Sequence, residues 1–301
     1  MYITSVHAKE RLDAQNREQF SFWISIAPNW SGKRDFLDIK FRDDFVDLWK
    51  KFFGESELPI AFYYTDEEGC AELVMLGSVD ICVIAVLSLV RNGKALSLEA
   101  ESIGCFGGRR YLGFLETVSP DLEYFLSCGI PGRVEGERYK KTPEIAAESI
   151  KLAPPFKAPV RFIVFKRWDS LNELDEPDIV VFFAWPDVLL GLFAPANFDE
   201  TEPNAVFTPF GSGCSSIVQY PFLEKDATRP RSVLGLFDVT VRPFVLKNTL
   251  SFSVPMLKFE RMIHNMNESF LIADSWQEIQ KRIQGDIKVI LALTYHQIAE
   301  A

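Results

Sequence analysis

The sequence predicts an α+β fold, with α/β as the alternative, made of two pseudo-symmetric strand–helix–strand–turn–helix halves that share one core. Three observations predict it. Apolar runs of strand length alternate with amphipathic, capped stretches of helix length through most of the chain. The order of elements leading to Gly104-Cys105 recurs before Gly213-Cys214. No low-complexity segment or long linker separates the two copies, so they are expected to bury a common interior. Two copies make a pseudo-symmetric domain rather than a solenoid, which needs three or more repeats.

In chain order, residues 1–54 are an N-terminal extension and helix, with aromatics at Phe20 to Ile24 and a loop at Pro28 to Lys33. Asp44 to Phe53 places Phe45, Leu48, Trp49 and Phe52 on one helical face and is closed by Gly54. The first half, 55–156, opens with a strand at Pro59 to Tyr64, followed by an apolar helix from Asp80 to Val90 and a strand at Leu96 to Ser102. Thr142-Pro143-Glu144 starts a helix that Pro154-Pro155 stops. The second half, 157–271, begins with an acidic stretch, Asp169 to Asp178, read as a solvated loop. Ile179 to Phe198 carries one charge in twenty residues and imitates a membrane span. Trp185-Pro186-Asp187 interrupts it with a helix-start signal, so it divides into a buried strand, Ile179 to Ala184, and a helix, Pro186 to Ala194, stopped by Pro195. Further strands are expected at Ala205 to Phe210, Val233 to Val239 and Leu250 to Val254, and a helix at Met256 to Met266. Residues 272–301 are a C-terminal helix, opened by Ser275-Trp276-Gln277-Glu278 at capping-box spacing and weakened at Gly285.

Charge narrows the function classes. The 301 residues hold 32 Lys+Arg against 42 Asp+Glu, a net of −10. Such a surface repels polyphosphate, which argues against a nucleic-acid partner and an anionic membrane. Apolar residues at 48% and charged residues at 25% are those of a folded globular chain, and 26 Phe imply a core rich in rings. Five cysteines without Cys-x-x-Cys spacing, and an N-terminus lacking an apolar signal region, are read as reduced thiols in a cytoplasmic protein.

At the cysteine motifs a resemblance emerges. Ser102-Ile103-Gly104-Cys105-Phe106-Gly107-Gly108-Arg109-Arg110-Tyr111-Leu112-Gly113-Phe114 resembles the Cys-x-Gly-Gly…Leu-Gly-Phe signature of the Uncharacterised ArCR family, a domain of unknown function. Cys82, Trp185-Pro186-Asp187, Gly211-Ser212-Gly213-Cys214-Ser215, Asp238…Arg242 and Phe252-Ser253-Val254-Pro255 extend the likeness over roughly Phe45 to Leu271. Phe106 stands where that pattern has a small residue or Pro, which would narrow a site. The resemblance implies no particular activity.

The residues themselves suggest chemistry. A glycine-flanked turn at a helix start presents backbone N–H groups and the positive end of the helix dipole. Cys105 and Cys214 at such turns are expected to have lowered pKa values, the former helped by Arg109 and Arg110. The ligand-binding residues expected are Gly104, Cys105, Gly107, Gly108, Arg109, Arg110, Ser212, Gly213, Cys214, Ser215 and Arg242. The competing reading is plain packing: small cysteines fill tight turns, and glycines let elements approach. Asp238 and Arg242 would by the simpler reading pair with each other to pin a loop, and by the rival one face the cleft. Cys70, Cys82, Cys105, Cys128 and Cys214 are scattered, as are His7, His264 and His296, so a metal or iron–sulfur centre would need convergence from both halves, and no metal is assigned. Gly211-Ser212-Gly213-Cys214-Ser215 is not a nucleophile elbow, and no Walker or dinucleotide motif is present.

The reading carried forward is a cytoplasmic binder of a small anionic or flat ligand, held in a cleft between the two Gly-Cys turns, with the cofactor unknown. The alternatives are a thiol-dependent enzyme or redox/metal-cofactor protein using Cys105 and Cys214, and a structural or interaction protein. A homodimer through the C-terminal helix is the further partner considered.

Overall fold

In a computed structural model, residues 37–74 and 81–285 are described, and every structural statement below concerns those residues. The aromatics at 20–24, the loop at 28–33, the expected helix start at Asp80 and the C-terminal helix past 285 lie outside them.

Helix α1, Ile39–Phe53, starts five residues earlier than the apolar pattern indicated, because Asp38 caps it by accepting from the Lys40 amide at 2.8 Å. It buries Phe45, Trp49, Phe52 and Phe53 and ends at Gly54, whose φ of 60° suits glycine. The chain continues through β1 (Ile60–Thr65), β2 (Leu73–Val74), α2 (Val83–Arg91), β3 (Leu96–Leu98), α3 (Phe106–Tyr111), α4 (Leu122–Phe125), α5 (Pro143–Leu152) and β4 (Phe162–Arg167). Next come β5 (Ile179–Ala184), α6 (Pro186–Asn197) and β6 (Val206–Phe207). Helix α7 begins at Gly213, passes through a π-helical turn, Ser215–Gln219, and finishes as α-helix over Tyr220–Glu224. It is followed by β7 (Ser232–Gly235), β8 (Leu250–Pro255), α8 (Met256–Met266) and α9, residues 274–285.

The strands form one mixed eight-stranded sheet in the order β2-β3-β4-β1-β5-β8-β7-β6. The fold is α+β: every pairing is antiparallel except β2 with β3 and β6 with β7, at the two edges. From the central β1–β5 pair the sheet runs out through β4, β3 and β2 on one side and through β8, β7 and β6 on the other, so β4, which lies within the expected second half, pairs on the side of β1. Helices α1, α6, α8 and α9 cover one face, burying Phe45, Leu192, Phe259 and Trp276 against Val180, Phe182 and Phe252. Helices α2 and α7 cover the other, with Ile84, Leu87, Ile217 and Val218 against Phe62, Phe165, Val181 and Phe183. Strand β5 is buried along its whole length for this reason, and the apolar run that imitates a membrane span is β5 followed by α6. No helix among the described residues is long and apolar enough to cross a membrane.

Four expectations change. Helix α6 runs on through Pro195, whose missing N–H removes one bond in a turn that ends two residues later. The strands expected up to Ser102 and Phe210 stop at Leu98 and Phe207, and β7 ends at Gly235 because Leu236, at φ 68°, turns the chain away. The acidic stretch before β5 is not fully solvated. Asp175, 2% exposed, accepts from Lys166 at 2.7 Å and from the Tyr63 hydroxyl at 2.5 Å, and buried Asp178 faces Lys225 at 3.5 Å. The first turn of α9 includes Asp274, so Ser275 lies inside the helix instead of capping it.

Candidate functional site

The first turn of α2 lies between the two Gly-Cys turns. Gly108 packs so closely on Val83 that a Cβ there would stand 3.1 Å from its methyl, and one on Gly213 would stand 3.3 Å from Ile84. This brings Cys82, the residue before α2, beside Cys105, the residue before α3, and Cys214, the second residue of α7. All three are free thiols. The sulfur of Cys105 accepts from the Gly108 amide at 3.4 Å. Burial pushes the Cys82 thiol up; the sulfur makes no cap bond, and the Ala85 amide donates instead to the Cys82 carbonyl at 3.0 Å. Burial pushes Cys214 far up, and Cys82, Cys105 and Asp238 add to the effect. The lowered pKa expected at Cys214 is therefore reversed, because desolvation outweighs the helix end at a site this enclosed.

Asp238 fixes the neighbouring loop. Its Oδ2 accepts from the Gly213 amide at 3.1 Å, and its Oδ1 from the Thr240 amide, the Thr240 hydroxyl and the Tyr139 hydroxyl at 3.0, 2.7 and 2.9 Å. Tyr139 arrives from the long connection between β3 and β4, so a residue of the first half closes over the second. Burial, followed by the Asp238 carboxylate, pushes its phenol up to about 12. Beside this latch is a cavity of about 250 Å³ lined by Tyr139, Phe210, Gly211, Ser216, Gly235 and Phe237, among others. Its floor depends on Gly235, where a Cβ would lie 2.2 Å from the Ser216 hydroxyl. Phe210 and Phe237 stand 60% and 54% exposed at its rim, with Tyr139 edge-on to Phe210 and the Lys140 ammonium over the same ring.

The profile of the Uncharacterised ArCR family matches residues 50–265, more than two thirds of the chain. The chain belongs to this ArCR family. No curated protein and no solved structure matches it.

The ArCR signature residues have diverse local roles. Gly104 is half-buried just before the Cys105 cap. Gly107, Gly108, Gly211 and Gly213 all lack a positive φ, so their turns do not require left-handed backbone. Gly108 and Gly213 are held by close approach, whereas a Cβ on Gly107 would meet nothing nearer than 3.9 Å. Ser212 accepts from the Ser215 amide at 3.2 Å, which makes it the cap of α7, and the Ser215 hydroxyl returns to the Ser212 carbonyl at 2.8 Å. Arg110 donates to the carbonyls of Glu116 and Thr117. Arg242 donates to the carbonyls of Thr249, Leu246 and Lys247, so neither its expected pairing with Asp238 nor a free guanidinium in the cleft is what the structure contains. The buried Nε of Arg109, in contrast, has no hydrogen-bond partner among the described residues.

Cys105 and Cys214 do come together, but they precede or open helices at different places in the chain order. Cys214 lies in the helix between β6 and β7, and Cys82 precedes the helix between β2 and β3. The signal was available as Gly77-Ser78 ahead of Cys82, mirrored by Gly211-Ser212 ahead of Cys214. Tyr139 and Phe237, absent from the expected site, sit in loops whose sequence shows no periodic pattern. Cys70 and Cys128 are directed elsewhere, to the carbonyls of Glu67 and Gly129, and His264 is on the surface. The described part of α9 packs Trp276 and Ile283 into the chain's own core.

Proposed function

We propose that this ArCR protein binds a small flat molecule in the cavity beside Asp238. The observation that carries the reading is the cavity itself, rimmed by Tyr139, Phe210 and Phe237 at the second Gly-Cys turn. Its 250 Å³ is at the small end for a ligand site, the size of one or two fused rings rather than a dinucleotide. Of the two ligand types open from the sequence, the flat one fits better. The charged residue in the wall is Asp238, which repels an anion, and Arg110 and Arg242 are committed to backbone carbonyls. The exposed Phe210 and Phe237 rings offer apolar surface for a flat molecule, and Asp238 Oδ2, which accepts from the Gly213 amide, keeps a lone pair for a ring that carries N–H donors.

The test is a thermal-shift and calorimetric comparison of guanine, pterin and alloxazine against inorganic phosphate. A flat probe should stabilise the wild type, and Phe210→Ala or Phe237→Ala should weaken its binding about tenfold, as loss of one ring contact implies. Failure of every flat probe, or a hit indifferent to both substitutions, overturns the reading.

A further inference from the structure

The cavity beside the second Gly-Cys turn has an unbalanced charge in its wall. Asp238 is part of that wall and is only 8% exposed. Among the described residues, each bond it accepts comes from a neutral donor: the Thr240 amide and hydroxyl and the Tyr139 hydroxyl on Oδ1, and the Gly213 amide on Oδ2. Oδ1 is thus saturated, whereas Oδ2 keeps a lone pair. A carboxylate this enclosed ordinarily has a cationic partner. Arg242, on the same loop, instead donates to the carbonyls of Thr249, Leu246 and Lys247, and Lys140, next to Tyr139, holds its ammonium over the Phe210 ring. Neither side chain belongs to the cavity wall. The wall is also held by strained backbone. Of the three non-glycine residues with positive φ among those described, Arg138 at 56° immediately precedes Tyr139, and Leu236 at 68° immediately precedes Phe237. Leucine in the left-handed region is costly, and such strain gathers at ligand clamps.

We infer, on the basis of the flat-ligand reading, that the ligand of this cavity is a planar organic cation: an amidinium or guanidinium conjugated to a ring, with its N–H groups on Asp238 Oδ2 and its face against Phe210 and Phe237. Each part of such a molecule meets its complement. A delocalised cation is more weakly hydrated than an ammonium, and its in-plane donors match a carboxylate. Its positive face suits the negative faces of the aromatic rim. Burial and the Asp238 carboxylate keep the Tyr139 phenol protonated, so among the described residues Asp238 is the one ionised group in the wall. An anion would face that carboxylate at close range, and a neutral ring would leave it without a counter-charge. The net charge of −10 also favours the approach of a cation from a distance.

The experiment titrates the full chain calorimetrically at neutral pH with benzamidine, benzamide and benzoate, which share one shape and are respectively cationic, neutral and anionic. Benzamidine should bind about tenfold tighter than benzamide, the gain of a charge-assisted bond, and benzoate should not bind. Added salt should weaken benzamidine and leave benzamide unchanged. Asp238→Asn should bring benzamidine to the level of benzamide, with circular dichroism controlling for folding. Lys140→Met removes the ammonium over Phe210, leaves the Asp238 bonds intact and should tighten benzamidine, so it serves if Asp238→Asn does not fold. Failure of benzamidine to bind, equal binding of benzamide, preference for benzoate, undiminished benzamidine binding in folded Asp238→Asn, or weakened binding in Lys140→Met overturns the inference. The flat-ligand reading survives any of these if guanine, pterin or alloxazine still stabilises the protein, and both fall together if no flat molecule of any charge binds.

Discussion

Two adjacent glycines of the ArCR signature have opposite roles. Gly108 faces the Ile103 and Val83 methyls, which a Cβ would meet at 3.0 and 3.1 Å. Gly107 faces open space out to 3.9 Å and lies within α3 at an ordinary φ. Alanine at 107 should therefore raise stability by roughly 0.5–1 kcal/mol through helix propensity. Alanine at 108 should lower it by about 1–3 kcal/mol, since the first turn of α2 must shift. Urea melts of the two variants check both signs, and a destabilised Gly107→Ala would show that something other than helix propensity fixes that position. At this scale the site was only half legible in the sequence. The Gly-Cys pairs marked two of the three converging thiols, because glycine beside cysteine stands out locally. Cys82 lacks a flanking glycine, and its fainter signal, the Gly77-Ser78 pair that mirrors Gly211-Ser212, gains meaning only because α2 packs between the other two turns. The roles of Arg110 and Arg242 were hidden for a different reason: backbone carbonyls absorb a guanidinium as well as a ligand does, and composition records neither.

Elements were most readable where both signals, periodicity and a cap, agreed. Strand β5 and the start of α6 at Pro186 were visible because an unbroken apolar run met a helix-start triplet. Strands β2 and β6 have two residues each, too short to show alternation. Tertiary charge pairs were invisible in the same way. Lys258 on α8 is 1% exposed, and its ammonium reaches Glu200, beyond the end of α6, at 3.2 Å, where Arg261 also bonds. Burial works to raise the Glu200 carboxyl, but hydrogen bonds from Lys258 and Arg261 outweigh it and hold the group below its ordinary 4.5. A carboxyl depressed in the folded state binds fewer protons there than in the unfolded chain. Its stabilisation is thus complete above about pH 4.5 and is lost as pH falls through the folded value. Glu200→Gln leaves Lys258 buried without its direct carboxylate partner, with only the more distant Asp199 charge, and should cost about 3 kcal/mol at pH 7. Denaturant melts from pH 7 to 3 should show the gap between wild type and variant closing in acid. A gap constant across that range would mean Glu200 is not the group that couples α8 to protons.

For the molecule as a whole, the consequence of the sheet order is that neither half owns its centre. Strand β1 bonds to β4 on one side and to β5 on the other, both from beyond residue 157, while β5 continues to β8. The central pair is therefore shared, and both its faces are covered, by α1, α6 and α8 on one and α2 and α7 on the other. Opening β5 means separating two ladders and two helical layers at once, which amounts to global unfolding. The edge strands β2 and β6 each have one ladder partner and two residues of pairing. Hydrogen exchange followed by mass spectrometry should consequently rank peptides from 179–184 and 60–65 slowest and those containing β2 and β6 fastest. The connection holding Tyr139 adds a further expectation, since its hydroxyl ties the loop from the first half to Asp238 in the second. Tyr139→Phe should speed exchange around 236–242 while leaving β5 unchanged, because losing the bond to Asp238 and the one accepted from the Val239 amide, about 1 kcal/mol each, loosens a local latch without reaching the shared centre. Equal protection of edge and centre in the wild type, or acceleration of β5 by the Tyr139 substitution, would mean that the sheet opens as independent pieces and that the β1–β5 pair does not bind the halves into one cooperative unit.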